Sequence, residues 1–352
     1  MIRGYCRIFE GAPAGWIVAL CAAIWLGFSP RVSRAEGVPA NATSGRDRTW
    51  ENYFGVAILP SERAVIVGDK GLVMTSDDHG RTWTRVQLSK GPKFYDLYSV
   101  AFAPDGANGW AVGDGGVIFH SDDRGSTWKL EESKQNSALL KIAAVNGQKA
   151  CAAGEHGVVL CTTDGGATWN AYKFDQDIIF FDLAFTDPNN GWVVGEFSTT
   201  LRTTDGGKSW SLQTGGKRDL SSDPFFAIAF ENASNGLILG LNGEDMTTAD
   251  GGKTWKAGAL AGQHHSFYAA TARPAGDSRE LYIGGQDGIA ARLVRGEVLP
   301  AQSATSNAIT GLAFSPHLGL AVGMSGTIMR SEDGGQHWSA WNVRNTAPVR
   351  AN

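Results

Sequence analysis

The sequence lacks a cluster of basic residues. Lys and Arg together number 31 against 35 Asp and Glu, which gives a formal net charge of −4. A mildly acidic chain without a Lys/Arg run is poorly suited to bind the phosphate backbone of nucleic acid. We therefore expect no nucleic-acid partner. Hydrophobic residues make up 42% and charged residues 19% of the chain, which indicates a globular body rather than a disordered one.

Signatures of common catalytic sites are also missing. The sequence contains no His-Glu-x-x-His, no Gly-x-Ser-x-Gly and no phosphate-binding loop. The only adjacent histidines, His264 and His265, fall in a predicted loop, where exposure to solvent is favoured over metal binding. We expect no metal, no cofactor and no small-molecule substrate.

A long apolar run occurs only at the N-terminus. Arg3 and Arg7 precede the apolar stretch 12–28, and the small-x-small triplet 33–35 follows it. This order predicts a secretory signal peptide over residues 1–35. The alternative is an uncleaved membrane anchor, because about 17 apolar residues is the lower limit for a membrane span. Cleavage would leave 27 basic and 34 acidic residues in an exported protein.

Only two cysteines, Cys151 and Cys161, lie outside the predicted signal peptide. They flank a predicted hairpin turn. A two-residue turn would pair Cys151 with Leu160, one residue out of register, and would place the two sulfur atoms on opposite faces. This geometry favours two buried thiols over a disulfide, although an oxidising compartment would permit the bridge.

One motif is present many times. SDDHGRTW at 76–83 returns in the frame S/T-x-D-x-G-x-T/S-W, and the spacing between copies is 41 to 45 residues, with one double step of 83. The double step indicates that one copy has been lost near residue 297. The repeated aspartates and tryptophans are Asp78, Asp123, Asp164, Asp205, Asp250 and Asp333, and Trp83, Trp128, Trp169, Trp210, Trp255 and Trp338.

Two further patterns raise the repeat number to seven. Six-residue apolar segments start near residues 53, 97, 139, 180, 225, 267 and 309, and a Gly-x-x-Gly turn follows each, with Ser198 replacing the second glycine once. Each unit then has four short strands, which predicts an all-β, seven-bladed propeller of four-stranded antiparallel blades over residues 50–343. We expect sequential ring closure, with a flexible segment at 36–49 and a C-terminal tail at 344–352.

Each residue of the repeated motif has a structural role. Asp78 can accept hydrogen bonds from turn amides, and Gly80 can adopt a positive φ. Trp83 buries a large apolar surface. Because one active site does not need six copies around a ring, we interpret the motif as a structural staple and predict no catalytic residues.

The motif resembles the Asp-box, or BNR, repeat of sialidases and other propellers. The longer unit 180–210, in which Trp192-Val193-Val194-Gly195 precedes the Asp-box, is similar to the photosystem II stability/assembly factor family, and 110–113 carries the same pattern. The resemblance implies a non-enzymatic, exported propeller that serves as an assembly, stability or scaffold factor for a membrane protein complex. We expect this protein to be a monomer. The implied location is the periplasm, or the thylakoid lumen in a photosynthetic host.

Two other functions stay open. One is an accessory protein of an envelope transporter. The other is a glycan-active enzyme of the BNR/sialidase type, but the Arg-Ile-Pro sequence that usually accompanies that activity is missing. Tyr53, Tyr98 and Tyr268 occupy repeat strands, where a packing role is favoured. A pair of loop carboxylates could still act on a glycosidic bond.

The turns between the second and third strands predict a partner-binding face. The residue after the first turn glycine is acidic in four consecutive blades and uncharged in the next three. In a four-stranded blade these turns share one face with the start of the first strand. We predict an acidic arc that meets a basic loop of a membrane protein; the alternative is that acidic residues are simply common in turns. The candidate residues are Asp69, Asp114, Glu155, Glu196, Phe180, Phe225 and Phe267.

Overall fold

The computed structural model describes residues 51–341, apart from 214–222, 259, 261–264, 276–277, 295 and 301–303. The predicted signal peptide 1–35, the segment 36–49, the tail 344–352 and His264 lie outside the described residues. Within the described residues, no helix has the length and apolar character needed to cross a bilayer.

The described chain forms seven antiparallel sheets, each made of four consecutive strands. Blades one to four contain β1 (Tyr53–Ile58), β2 (Ala64–Gly68), β3 (Leu72–Ser76), β4 (Thr84–Gln87), β5 (Leu97–Phe102), β6 (Gly109–Gly113), β7 (Ile118–Ser121), β8 (Lys129–Glu131), β9 (Leu139–Ala144), β10 (Ala150–Gly154), β11 (Val158–Thr162), β12 (Asn170–Lys173), β13 (Phe180–Phe185), β14 (Gly191–Gly195), β15 (Thr200–Thr203) and β16 (Ser211–Leu212).

Blades five to seven contain β17 (Phe225–Phe230), β18 (Gly236–Gly240), β19 (Asp245–Thr248), β20 (Lys256–Ala257), β21 (Phe267–Ala275), β22 (Ser278–Gly285), β23 (Ala290–Val294), β24 (Glu297–Pro300), β25 (Ile309–Phe314), β26 (Gly319–Gly323), β27 (Ile328–Ser331) and β28 (Ser339–Ala340). One-turn 3-10 helices join the second and third strands of blades one to six, at Asp69–Gly71, Asp114–Gly116, Glu155–Gly157, Glu196–Ser198, Leu241–Gly243 and Gln286–Gly288. The predicted seven-bladed propeller is confirmed.

The first strand of each blade is the innermost, and consecutive innermost strands contact one another around the ring. Blade seven meets blade one directly: Thr310 Oγ1 donates to the backbone oxygen of Tyr53 at 2.8 Å, and the Ser325 amide donates to Asn52 Oδ1 at 3.0 Å. Since β1–β4 and β25–β28 are separate sheets, the ring closes without exchanging a strand, as predicted.

The glycine that opens the second strand makes room for an aromatic ring of the first. Phe102 is paired with Gly109, and a Cβ on Gly109 would lie 2.4 Å from the phenyl ring. Trp128, the last residue of the Asp-box in that blade, packs edge-on against the same ring at 5.9 Å between centroids. Phe185, Phe230 and Phe314 repeat the arrangement. The Asp-box tryptophan therefore ties the fourth strand to the first.

The expectation that Cys151 and Cys161 are free thiols is wrong. The two residues are directly paired across β10 and β11, with Cα atoms 4.1 Å apart, and they form a disulfide. The turn between these strands contains three residues, Glu155–Gly157, rather than two. The extra residue shifts the register by one position and brings both sulfur atoms to the same face of the sheet.

Blade six has four strands without an Asp-box. Its third and fourth strands, β23 and β24, are paired up to Val294 and Glu297. A polar cluster instead links this blade to the next, because Tyr282 Oη donates to the backbone oxygen of Gly334 in the Asp-box of blade seven at 2.6 Å. Glu280 accepts hydrogen bonds from Arg273 and Arg292, and its Oε2 lies 3.1 Å from Tyr282 Oη. These hydrogen bonds therefore stabilise the seam between blades six and seven, although blade six has lost the motif.

Candidate partner-binding face

The carboxylate of the Asp-box is used within its own turn. Asp78 Oδ1 accepts from Ser76 Oγ at 2.8 Å, and from the amides of Arg81 and Thr82 at 3.0 and 2.8 Å. Asp78 Oδ2 accepts from Thr82 Oγ1 at 2.6 Å. The other five copies repeat the core of this network, with His337 replacing the hydroxyl donor in the last. The motif thus satisfies turn amides that would otherwise lack partners.

Hydrogen bonding holds these carboxyls in their charged form. Burial alone would raise the pKa of Asp78, but the bonds from Thr82 and Ser76 lower it to about 2. The hydroxyl and amide of Ser209 lower the pKa of Asp205 to about 2. The pKa values of Asp123, Asp164 and Asp250 are lowered as well. None of these groups is suited to act as a general acid near neutral pH.

The glycine at the fifth position of each Asp-box lies against the preceding blade. Gly207 has φ +90°, and a Cβ there would meet the disulfide of blade three, 2.4 Å from Cys161 Sγ. Gly252 lies against Trp192 of blade four, whose Nε1 donates to the Gly252 backbone oxygen at 3.2 Å. The Asp-box is therefore a staple within one blade and a packing surface for its neighbour.

On the opposite face, three of the four predicted acidic residues fix the point at which an innermost strand begins. Asp69 Oδ2 accepts from the Asn52 amide at 2.7 Å. Glu155 Oε2 accepts from Ala138 at 3.1 Å, and Glu196 Oε2 accepts from Ile179 at 2.9 Å. These carboxylates are half-buried. Each bridges a turn to the residue before the first strand of the same blade.

The fourth acidic residue, Asp114, instead bonds the amide of Gly115 within its own turn, at 2.8 Å. Its backbone amide donates to the carbonyl of Asp96 at 2.9 Å, and Asp96 Oδ1 accepts from the Lys70 amide at 2.8 Å. Burial raises the pKa values of Asp69 and Asp114, and the nearby charge of Asp96 raises both further. Three carboxylates are thus grouped between blades one and two.

Asp96 was not identified from the sequence, because it belongs to no repeated motif. Its position directly before an innermost strand is the signal that could have found it. Burial, and to a smaller extent the charge of Asp177, raise the pKa of Glu196. Negative charge is therefore concentrated at more than one point of this face.

The three phenylalanines predicted to lie at the rim are core residues. Phe180, Phe225 and Phe267 are 0%, 4% and 1% exposed. They pack in the seams between blades, among residues such as Leu183 and Ile228. In contrast, Phe94, in the loop before β5, is 53% exposed.

The described residues include no group of three His, Cys, Asp or Glu side chains placed to hold a metal ion. His265, the described member of the histidine pair, instead faces Asp287, with Nδ1 3.5 Å from Oδ2. This face is therefore a surface of turns and half-buried acids.

The seven sheets and their Asp-box turns define an Asp-box propeller. The chain belongs to the family of the photosynthesis system II assembly factor YCF48, whose model matches residues 48–173 and 167–224. Among curated proteins, none matches the sequence.

Solved propellers are similar in fold. A structure of YCF48 bound to D1 peptide has 19% sequence identity and a TM-score of 0.65, covering 80% of this chain and 94% of that one. YCF48 from Cyanidioschyzon merolae has 17% identity and a TM-score of 0.64, covering 80% and 96%. A GH74 xyloglucanase from Xanthomonas campestris has 15% identity and a TM-score of 0.62, covering 82% of this chain and 54% of the enzyme.

Proposed function

We propose that this chain is a non-catalytic assembly, stability or scaffold factor that holds an exposed segment of a membrane-protein subunit while its complex is built. The observation that carries the proposal is membership of the YCF48 family, together with a fold shared with YCF48 in complex with a D1 peptide. In a photosynthetic host the complex would be photosystem II. In another host the same surface would serve a different membrane complex, such as an envelope transporter.

The chemistry of the repeats supports a binding role rather than catalysis. All six Asp-box carboxylates are engaged in their own turns. Three of the four predicted acids on the opposite face fix backbone amides at the start of innermost strands. Carboxylates committed to such bonds are poorly placed to act as a catalytic acid or base, which must exchange its proton with substrate.

The disulfide supports an exported location. Cys151 and Cys161 are joined in the structure, and disulfides persist mainly in oxidising compartments such as the bacterial periplasm. We place the protein in the periplasm, or in the thylakoid lumen of a photosynthetic host, and expect it to act as a monomer.

The proposal is tested by crosslinking the tagged protein in its native host and identifying the proteins recovered from solubilised membranes by mass spectrometry. Recovery of photosystem II core subunits or their precursors is the expected result for a photosynthetic host. Recovery of another membrane complex, including a transporter, supports the scaffold role in a different setting. A tagged, exported protein of unrelated fold is the control. Recovery of no membrane protein beyond that control would reject the proposal.

The similarity to the GH74 xyloglucanase favours one second candidate, a glycan-active enzyme. This alternative is tested by incubating the purified protein with xyloglucan and with fluorogenic sialosides and measuring released sugar. We expect no release above the level of a heat-inactivated sample. Turnover that disappears in a variant of one surface carboxylate would instead establish an enzyme.

A further inference from the structure

A β-bulge at the start of every innermost strand redirects one side chain. In β13 the pairing with β14 shifts between Phe180 and Asp182, and the intervening Phe181 has no partner in the register. The same shift occurs in β1, β5, β9, β17, β21 and β25. A bulge re-aims side chains locally, so the second residue departs from the alternation of the strand.

In five of the seven blades this second residue is aromatic, and these rings meet across blade boundaries. Phe54 and Tyr98 lie 5.4 Å apart between ring centroids, Phe181 and Phe226 5.1 Å, and Phe226 and Tyr268 5.5 Å. Each ring comes from the same position of a different innermost strand, so the rings line the axis of the propeller close to the face of the turns. We call these five residues the aromatic collar. Phe54, Phe181 and Tyr268 retain partial exposure.

The collar is surrounded by negative charge. The residues before the innermost strands and those of the inter-strand turns are all described by the structure. Among them, the residues charged at neutral pH are six acids and one lysine: Asp69, Asp96, Asp114, Glu155, Glu196, Asp287 and Lys70. We call the six acids the acidic rim.

A lysine on a neighbouring innermost strand does not offset this charge. Lys141 is the third residue of β9, and its Nζ lies 3.1 Å from Oδ1 of the buried Asp182 on β13. This lysine is therefore paired with a buried carboxyl rather than with the acidic rim. The turn-side end of the innermost strands therefore combines apolar ring surface with a surplus of carboxylates.

We propose that the aromatic collar and the acidic rim together bind a segment of the partner in which an apolar side chain is flanked by lysine or arginine. The apolar side chain would be buried against the rings, which favours binding by removing its surface from water. The flanking cations would meet the rim carboxylates and the faces of the rings. This inference rests on the proposed role in holding a protein segment, and it specifies the chemistry of that segment.

The experiment measures binding of three labelled peptides of equal length to the purified propeller by fluorescence anisotropy. One has a central leucine flanked by lysines and arginines. The second replaces the leucine with serine, and the third replaces the basic residues with glutamates. We expect the first to bind at least about tenfold more tightly than either of the others, because it alone supplies both interactions. Equal affinities, or preference for the acidic peptide, would overturn the inference.

Matched variants locate the site. Asp96→Asn with Asp287→Asn removes two rim charges, whereas Asp77→Asn with Asp122→Asn removes two exposed charges on the Asp-box face. Only the first pair of substitutions should lower the affinity for the basic leucine peptide, by about tenfold at low salt and by less as salt rises.

Phe181→Ala should lower the affinity for the leucine peptide and leave the affinity for the serine peptide unchanged. Equal effects of both charge pairs would show that binding is not confined to the rim.

The two proposals fail separately. Suppose crosslinking recovers a membrane protein but the rim variants alter neither that recovery nor peptide affinity. The assembly role would then stand and the collar would be rejected. Selective binding of the basic apolar peptide without recovery of a membrane protein would keep the docking surface and reject the assembly role.

Discussion

Cys151 on β10 lies directly opposite Cys161 on β11, and their disulfide packs against Gly207 in the Asp-box of the following blade. The bridge closes a short loop around one hairpin. It also forms the surface on which the next turn rests. Stability of blades three and four is therefore coupled at this point, which leads to two predictions.

Removing the disulfide should destabilise the propeller. Cys151→Ala with Cys161→Ala is expected to lower the free energy of unfolding by about 2–3 kcal/mol, the value for a loop of this length. The measurement is urea denaturation of both proteins with and without reductant. Reductant should destabilise only the parent protein, whose intact mass should rise by two hydrogen atoms. A parent mass that is unchanged under denaturing reduction would contradict the disulfide.

Gly207→Ala should lower the free energy of unfolding by more than the strain of a positive φ alone would. The new Cβ would meet both sulfur atoms, at 2.4 and 3.1 Å, in addition to the strain of φ +90°. We expect a loss of about 3 kcal/mol. Gly91→Ala is the matched control, because Gly91 has φ +61° and nothing within 4 Å of the added atom. Gly91→Ala should lower the free energy of unfolding by about 1 kcal/mol. Similar losses for both variants would show that the disulfide does not constrain Gly207.

Asp78→Ala should destabilise the fold without affecting partner binding. The substitution leaves the amides of Arg81 and Thr82 without their carboxylate acceptor. A loss of about 1–3 kcal/mol in the free energy of unfolding is expected. Thermal unfolding measures the loss, and the anisotropy assay at a temperature where the variant is folded should give the parental affinity. Loss of binding with unchanged stability would reverse the assignment of this motif as a staple.

Acid should weaken the fold mainly below pH 4. The Asp-box carboxyls have lowered pKa values, about 2 for Asp78, Asp205 and Asp333. Their contribution is complete above the unfolded value of about 3.9 and disappears as pH falls through the folded values. Buried carboxyls such as Asp182 and Glu196 have raised pKa values and act in the opposite direction, at higher pH.

The urea midpoint measured from pH 6 to pH 2 should therefore fall steeply only in the lower half of that range. Asp78→Asn provides the control, because its deficit relative to the parent should shrink as pH falls from 4 to 2. A deficit that stays constant over that range would mean that Asp78 has the same pKa in the folded and unfolded chain.

Lys141→Met should leave the carboxyl of Asp182 without the lysine with which it pairs between β9 and β13. We expect a loss of about 1–3 kcal/mol at neutral pH, less than for a wholly buried pair because Lys141 is one-third exposed. Burial raises the pKa of Asp182, Lys141 opposes this, and the substitution should therefore raise it further. The folded variant would then take up a proton more readily than its unfolded chain. The stability that Lys141→Met loses relative to the parent should therefore become smaller as pH falls. Lys93→Met is the control, because Lys93 is exposed, and it should have the stability of the parent at every pH.

The sequence by itself determined the blade number and the strand order. The Asp-box, the six-residue segment and the Gly-x-x-Gly turn repeat at fixed spacing, and each is tied to a local requirement of the backbone. The glycine before Trp110 faces Phe102 within one hairpin. Since these requirements act between neighbours in the chain, they can be read from spacing alone.

Only the tertiary structure decided the disulfide pairing, the role of the turn carboxylates and the direction of the side chains at the bulges. One extra turn residue, set by the 3-10 helix at Glu155–Gly157, placed Cys151 opposite Cys161. The partners of Asp69 and Glu196 lie 17 residues earlier in the chain, so their half-buried, bridging role depends on how turn and strand meet. At the bulge in β13, Phe180 is buried in the seam between blades, whereas Phe181 belongs to the aromatic collar. Side-chain direction at a bulge follows from pairing with the adjacent strand, and this pairing exists only in the folded sheet.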